Sequence, residues 1–161
     1  NENIQSERIE PALYEITNPE LIQLGVTVRN WEEAIREAGA PLLTQGKITR
    51  EYIDTIITNT KMEGPYMVIA KQIALPHARP VDGVEKLGIS ITSLSYPIEF
   101  GSKENDPVKY IFFLAATANN YHLNAMAELV KLLDDPAFFN LLDTSQDPHE
   151  VYHYLRLAKH I

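Results

Sequence analysis

Val108-Lys109-Tyr110-Ile111-Phe112-Phe113-Leu114 is apolar on both alternating sets of positions except at Lys109. Successive side chains of a strand point to opposite faces, so a run that is apolar on both needs cover above and below. It reads as a strand near the middle of a sheet. The flanking sequence supplies the cover. Upstream, Asn30 caps a helical stripe of Trp31, Ala34, Ile35, Ala38 and Leu42, whose end Gly39 and Pro41 should weaken or kink. Thr49 opens a second helix with Tyr52, Ile53, Ile56 and Ile57 on its apolar face, closed before Gly64-Pro65. Segments 67–70, 72–75 and 87–92 are strand-like, the last with Leu87, Ile89 and Ile91 alternating with Gly88, Ser90 and Thr92. Downstream, one helix covers residues 121–133, a second opens at Asp135-Pro136, and a third opens at Asp147-Pro148 with Glu150 completing a capping-box pattern. The expected fold class is α/β (α+β): a layered sandwich with a mixed central β-sheet flanked by helices on both faces.

The 161 residues, 45% hydrophobic and 22% charged, suffice for one continuous core. Residues 1–20, with Pro11, Asn18 and Pro19 among mixed neighbours, read as a tail or lead-in, and 21–161 as a single domain. No apolar run approaches bilayer length and no signal-peptide pattern opens the chain, so a soluble cytoplasmic protein is expected. The absence of cysteine excludes disulfides, thiolate metal sites and a cysteine nucleophile. A net charge of -8 without a cluster of Lys and Arg argues against nucleic acid and suits a basic protein partner.

The most unusual stretch runs from Gly64-Pro-Tyr through Ala74-Leu-Pro-His-Ala-Arg-Pro80, where a short apolar strand leads straight into Pro76 and His77. A histidine that accepts and donates a phosphoryl group needs a neutral ring nitrogen held in one tautomer, near a surface that a partner can reach. A loop at a strand end offers that exposure, and the Ala78 N–H and Arg79 stand next to it as helpers for phosphoryl oxygens. The residues alone leave two readings open, a turn histidine or a phosphoryl acceptor.

The segment resembles the active-site signature of the mannitol/fructose-type enzyme IIA superfamily of sugar phosphotransferase systems, and its Gly64-Pro65-Tyr66 opening is most similar to the ascorbate-type branch. Asp82-Gly83-Val84, Pro97-Ile98-Glu99-Phe100, Asp106-Pro107-Val108 and Leu114-Ala115-Ala116 leading to His122 follow in the family's order, so the resemblance spans roughly residues 25 to 158. It implies that His77 takes a phosphoryl group from the carrier protein HPr and passes it to a cysteine of an enzyme IIB partner, without a metal ion or other cofactor. It also implies that His122, just past the buried strand, is a second active-site histidine, against the plain alternative of a helix-capping residue. Mannitol-type members place an arginine in the helix before the breaker. Here that position is Lys61, a point charge on a flexible stem rather than a planar fork, so it stands beside Arg79 and Ala78 as a phosphate-supporting candidate only. The implied setting is cytoplasmic, with no membrane insertion and an indirect association through the transporter complex. Ascorbate or a related sugar acid is the implied substrate class. The rival functions are a phosphorylation-sensing domain of a transcriptional regulator and a binding module that is never phosphorylated.

His149-Glu150-Val151-Tyr152-His153 matches the helical zinc signature H-E-x-x-H. At about 100° per residue, however, His149, His153 and His160 share the face opposite Val151, Tyr154, Leu155 and Ala158, so they should face solvent. A catalytic zinc also needs a third ligand in a cleft, and Glu150 already has a capping role, so no metal site is expected. The acidic residues Glu99, Glu104 and Asp106, broken by Gly101 and Pro107, read as a solvated turn.

Overall fold

A computed structural model of the chain describes residues 10–158. Two 3-10 turns, Leu13–Ile16 and Pro19–Leu21, lead into strand β1 (Ile22–Val26), followed by helices α1 (Trp31–Thr44) and α2 (Arg50–Glu63). A hairpin of β2 (Val68–Ala70) and β3 (Ile73–Ala74), a 3-10 turn at Pro80–Asp82, and the long strands β4 (Gly88–Ile98) and β5 (Val108–Ala115) come next. Helices α3 (Leu123–Leu132), α4 (Pro136–Thr144) and α5 (Pro148–Ala158) complete the described residues. The five-stranded sheet has the order β1-β4-β5-β3-β2. β1 runs parallel to β4 and β3 parallel to β5, whereas β4 with β5 and β2 with β3 are antiparallel. The sheet is therefore mixed, as expected.

The alternation of β5 divides the core in two. Ile111, Phe113 and Ala115 join Ala34, Ile35, Ala38 and Leu42 of α1 and Tyr52, Ile53, Ile56 and Ile57 of α2. Tyr110 and Phe112 join Ala125 and Leu129 of α3, Phe138 and Leu142 of α4, and Val151 and Leu155 of α5. Phe112 and Phe113 are both wholly buried. Side chains of that size each contribute about 1.5–3 kcal/mol by leaving water. Because both faces of β4 are covered too, Ser90 and Thr92 are buried rather than solvated. Their hydroxyls are satisfied locally: Ser90 Oγ donates to the Ala38 carbonyl at 2.6 Å, and Gln23 Nε2 donates to Thr92 Oγ1 at 3.2 Å.

Four details refine or extend the sequence reading. From Glu10 onward the lead-in is docked: Leu13 and Ile16 are buried in the second core cluster, and the Leu13 N–H donates to Glu128 Oε1 at 3.2 Å. Residues 1–9 lie outside the described residues. β1 was not anticipated, because it is a short edge strand whose pattern is broken by Gly25 at φ 66 and by a register shift between Gln23 and Val26. Helix α1 continues through Pro41 to Thr44. Proline removes the N–H that the Glu37 carbonyl would accept four residues back, and Gln23 Nε2 donates to that carbonyl instead at 2.8 Å. At the start of α5 the Ser145 hydroxyl, not the Asp147 backbone, is the partner of the Glu150 carboxylate, while Asp147 Oδ1 caps the His149 N–H at 2.9 Å.

Gly39, expected only as a weak point of α1, is a contact point. A Cβ there would stand 2.9 Å from Phe113 Cε2 and 3.1 Å from Ile53 Cδ1. Both neighbours are locked in the core, so Gly39→Ala is expected to destabilise the domain by roughly 1–3 kcal/mol despite alanine's better helix propensity. A urea titration with an unchanged slope and a lowered midpoint would report it.

Candidate functional site

The loop after β3 is fixed peptide by peptide. The Leu75 N–H donates to the Met67 carbonyl at 2.8 Å, and the Leu114 N–H of β5 donates to the Pro76 carbonyl at 3.0 Å. The His77 carbonyl accepts the Tyr66 hydroxyl at 2.8 Å. Tyr52, wholly buried on α2, takes the Ala78 N–H at 3.0 Å and has its hydroxyl 2.9 Å from the Leu114 carbonyl and 3.2 Å from the Ala78 carbonyl. Burial pushes the Tyr52 pKa up to about 12, so it remains a donor at any physiological pH.

This frame orients the half-buried His77. Its Nδ1 lies 2.8 Å from the Leu75 carbonyl oxygen, which can only accept. Nδ1 therefore carries the proton, and the lone pair of the neutral ring sits on Nε2. His77 lines an open recess of about 450 Å³ that is also lined by a polar stripe on α2, Thr55, Asn59 and Glu63, one helical turn apart. Tyr66, Ala78, Arg79 and Asp82 complete the lining. Arg79 reaches back to Asp82, Nε to Oδ2 at 3.2 Å and Nη2 to Oδ1 at 3.1 Å, and this guanidinium holds the Asp82 carboxyl below the usual carboxylate range.

The remaining sequence candidates are placed unequally. The Ala78 N–H is committed to Tyr52 and is not free to meet a phosphoryl oxygen, which corrects the expectation drawn from its adjacency to His77. Lys61 does not line the recess, and its Nζ pairs with Glu32 of α1 at 3.4 Å. His122 follows β5 at the sheet end reached by Pro76, because β3 and β5 are parallel and the Leu114 N–H bonds the Pro76 carbonyl. It immediately precedes α3 but makes no side-chain capping bond, and it is not among the residues lining the recess. Its Nδ1 is enclosed without a hydrogen-bond partner. Two phenols, Tyr52 and Tyr66, and the Thr55-Asn59-Glu63 stripe were missed as site residues. Tyr52 was hidden in an apolar stripe, whereas the polar stripe has a legible four-residue spacing. His149 and His153 of the H-E-x-x-H match are exposed, with Val151 and Leu155 buried behind them. Asp106 is structural: its carboxylate accepts the N–H groups of Phe100, Gly101 and Ser102.

The chain matches the family model described as phosphoenolpyruvate-dependent sugar phosphotransferase system, EIIA 2, over residues 15–157. It belongs to this EIIA family. Over 131 residues the EIIA chain is 34% identical to the ascorbate-specific PTS system EIIA component of Salmonella choleraesuis (strain SC-B67), covering 81% of this chain and 85% of that one. Among solved structures it is similar to the mannitol-specific cryptic phosphotransferase enzyme IIA CmtB of Escherichia coli, with a TM-score of 0.78 and 29% identity over 90% of this chain and 98% of that one. It is also similar to the complex of enzyme IIAMTL with phosphorylated enzyme IIBMTL from Escherichia coli, with a TM-score of 0.73 and 29% identity over 86% of this chain and 96% of that one. As an EIIA domain the chain is a component of a sugar phosphotransferase system. No described helix is long and apolar enough to cross a membrane.

Proposed function

We propose that this EIIA chain is a cytoplasmic phosphocarrier that takes a phosphoryl group from phospho-HPr onto Nε2 of His77 and passes it to a cysteine of enzyme IIB. The observation that carries the reading is the 2.8 Å contact of His77 Nδ1 with the Leu75 carbonyl, which leaves the Nε2 lone pair as the nucleophile in an open recess. In the first step the N–P bond of the donor phosphohistidine breaks, its electron pair stays on the donor nitrogen, and the His77 Nε2–P bond forms. The positive charge gained by the His77 ring is shared through Nδ1–H with the Leu75 carbonyl. In the second step a cysteine thiolate of IIB attacks phosphorus and Nε2 recovers its pair.

His122 is assigned the assisting role. An enclosed N–H without an acceptor is costly, so the proton of its neutral ring belongs on Nε2, which can then donate to the phosphoryl oxygens. Arg79, exposed and two residues beyond His77, brings a guanidinium to the recess, paired there with Asp82. The substrate class proposed is ascorbate or a related sugar acid, supported by the ascorbate-specific relative. The test is discharge of the labelled protein by purified IIB proteins. An ascorbate-type IIB is expected to remove the label faster than a mannitol-type IIB at equal concentration, and the reverse order would overturn the substrate class while leaving the phosphocarrier reading intact.

A further inference from the structure

Tyr66 touches His77 twice. Its hydroxyl donates to the His77 carbonyl at 2.8 Å, and its ring meets the imidazole edge to face, with centroids 5.8 Å apart and planes at 81°. Its own place is set by the end of α2, where Gly64 at φ 91 reverses the chain and the Tyr66 N–H donates to the Gly64 carbonyl at 2.8 Å. Tyr66 thus ties the helix end to the His77 loop from the solvent side, as Tyr52 ties that loop to β5 from within. Tyr66 is 38% exposed and lines the recess, whereas Tyr52 is wholly buried. Partial burial raises the pKa of the Tyr66 phenol, which keeps it a donor.

We propose that Tyr66 is a positioning residue for phosphoryl transfer, holding the His77 backbone and ring so that Nδ1 stays on the Leu75 carbonyl and Nε2 stays unprotonated. This rests on the phosphocarrier reading of His77. The chemical consequence is specific. A free neutral imidazole prefers its proton on the nitrogen remote from the backbone, which is Nε2. The Leu75 carbonyl reverses that preference only while the ring is held against it. Loosening the ring therefore returns the proton to Nε2 and blocks the nucleophile, even when the protein is fully folded. The hydroxyl bond lies at the surface and competes with water, so it supplies the smaller share. The ring contact, which limits rotation of the imidazole, supplies the larger.

Two variants separate these shares, Tyr66→Phe keeping the ring and Tyr66→Leu removing it. Single-turnover labelling from phospho-HPr is expected to slow about 5-fold in Tyr66→Phe, the size of one partly exposed hydrogen bond, and about 30-fold in Tyr66→Leu. Nitrogen-15 NMR of the His77 ring is expected to show Nδ1–H in the wild type and a shift towards Nε2–H in Tyr66→Leu, with melting temperatures within about 3 °C of the wild type. Wild-type rates in both variants, or slowing without any change of tautomer, would overturn the positioning role. If the wild type takes no label, or His77→Ala labels as well as it does, the phosphocarrier reading fails instead. The tautomer shift in Tyr66→Leu then still decides for or against positioning.

Discussion

His77→Ala is expected to take no label from phospho-HPr while keeping the wild-type melting temperature. The ring is half-buried at the edge of an open recess, and its removal leaves no cavity in either core cluster. Among the described residues no other histidine can replace it. His149 and His153 lie on the exposed face of α5, and the enclosed Nδ1 of His122 assigns the proton of its neutral ring to Nε2. His122→Ala is expected to differ in kind: it still accepts label at His77, but about 10²-fold more slowly, as when one preorganised donor is withdrawn from developing oxyanion charge. Complete loss in His122→Ala with retention in His77→Ala would exchange the two assignments.

Tyr52→Phe is the second large effect, and it acts on stability. Removing the hydroxyl leaves the Ala78 N–H and the Leu114 carbonyl without this partner beneath the site. A buried group left unpaired costs about 1–3 kcal/mol, and the Ala78 N–H, only part-buried, counts at about 1 kcal/mol, so a loss of about 2–4 kcal/mol is expected. For a chain of this size that is roughly 5–15 °C in melting temperature. The alkaline limb gives a second signature. With the folded pKa raised to about 12 from an ordinary value of 10.0, the folded state holds its proton where the unfolded chain has lost it. That share of stability is full below pH 10 and declines as pH rises towards 12. The pKa values of Tyr66, Tyr110 and Tyr154 are raised as well, so the Tyr52 share is the difference between the wild type and Tyr52→Phe. A melting temperature within 2 °C of the wild type for Tyr52→Phe would mean that water takes over the hydroxyl's bonds.

How much of this was legible depends on whether one periodicity or a distant pairing was at stake. The doubly apolar run of β5 implies cover on both faces, and the sandwich follows from it. Pro76 ahead of His77 marks a strand end leading into a loop, which the chain follows. β1 escaped because its positive-φ Gly25 and its pairing with β4 alone leave no two-residue pattern. Pro41 was expected to weaken or kink the end of α1 because nothing local reveals that Gln23, on another element, will satisfy Glu37. The partners of the buried Ser90 and Thr92 hydroxyls, Ala38 of α1 and Gln23 of β1, are likewise distant in sequence. At the site, adjacency suggested the Ala78 N–H as a phosphate donor, whereas the folded chain turns it inward onto a tyrosine from α2. Charge at Lys61 was equally unrevealing, since its partner Glu32 lies on α1.

The most direct measurement is the position of the phosphoryl group on nitrogen-15 histidine-labelled protein after transfer from phospho-HPr, read by phosphorus–nitrogen coupling. Coupling to Nε2 of His77, with Nδ1 still bearing its proton, is the expected result. A phosphoryl group on Nδ1, or on any other histidine, would contradict the assignment of Nε2 as the nucleophile.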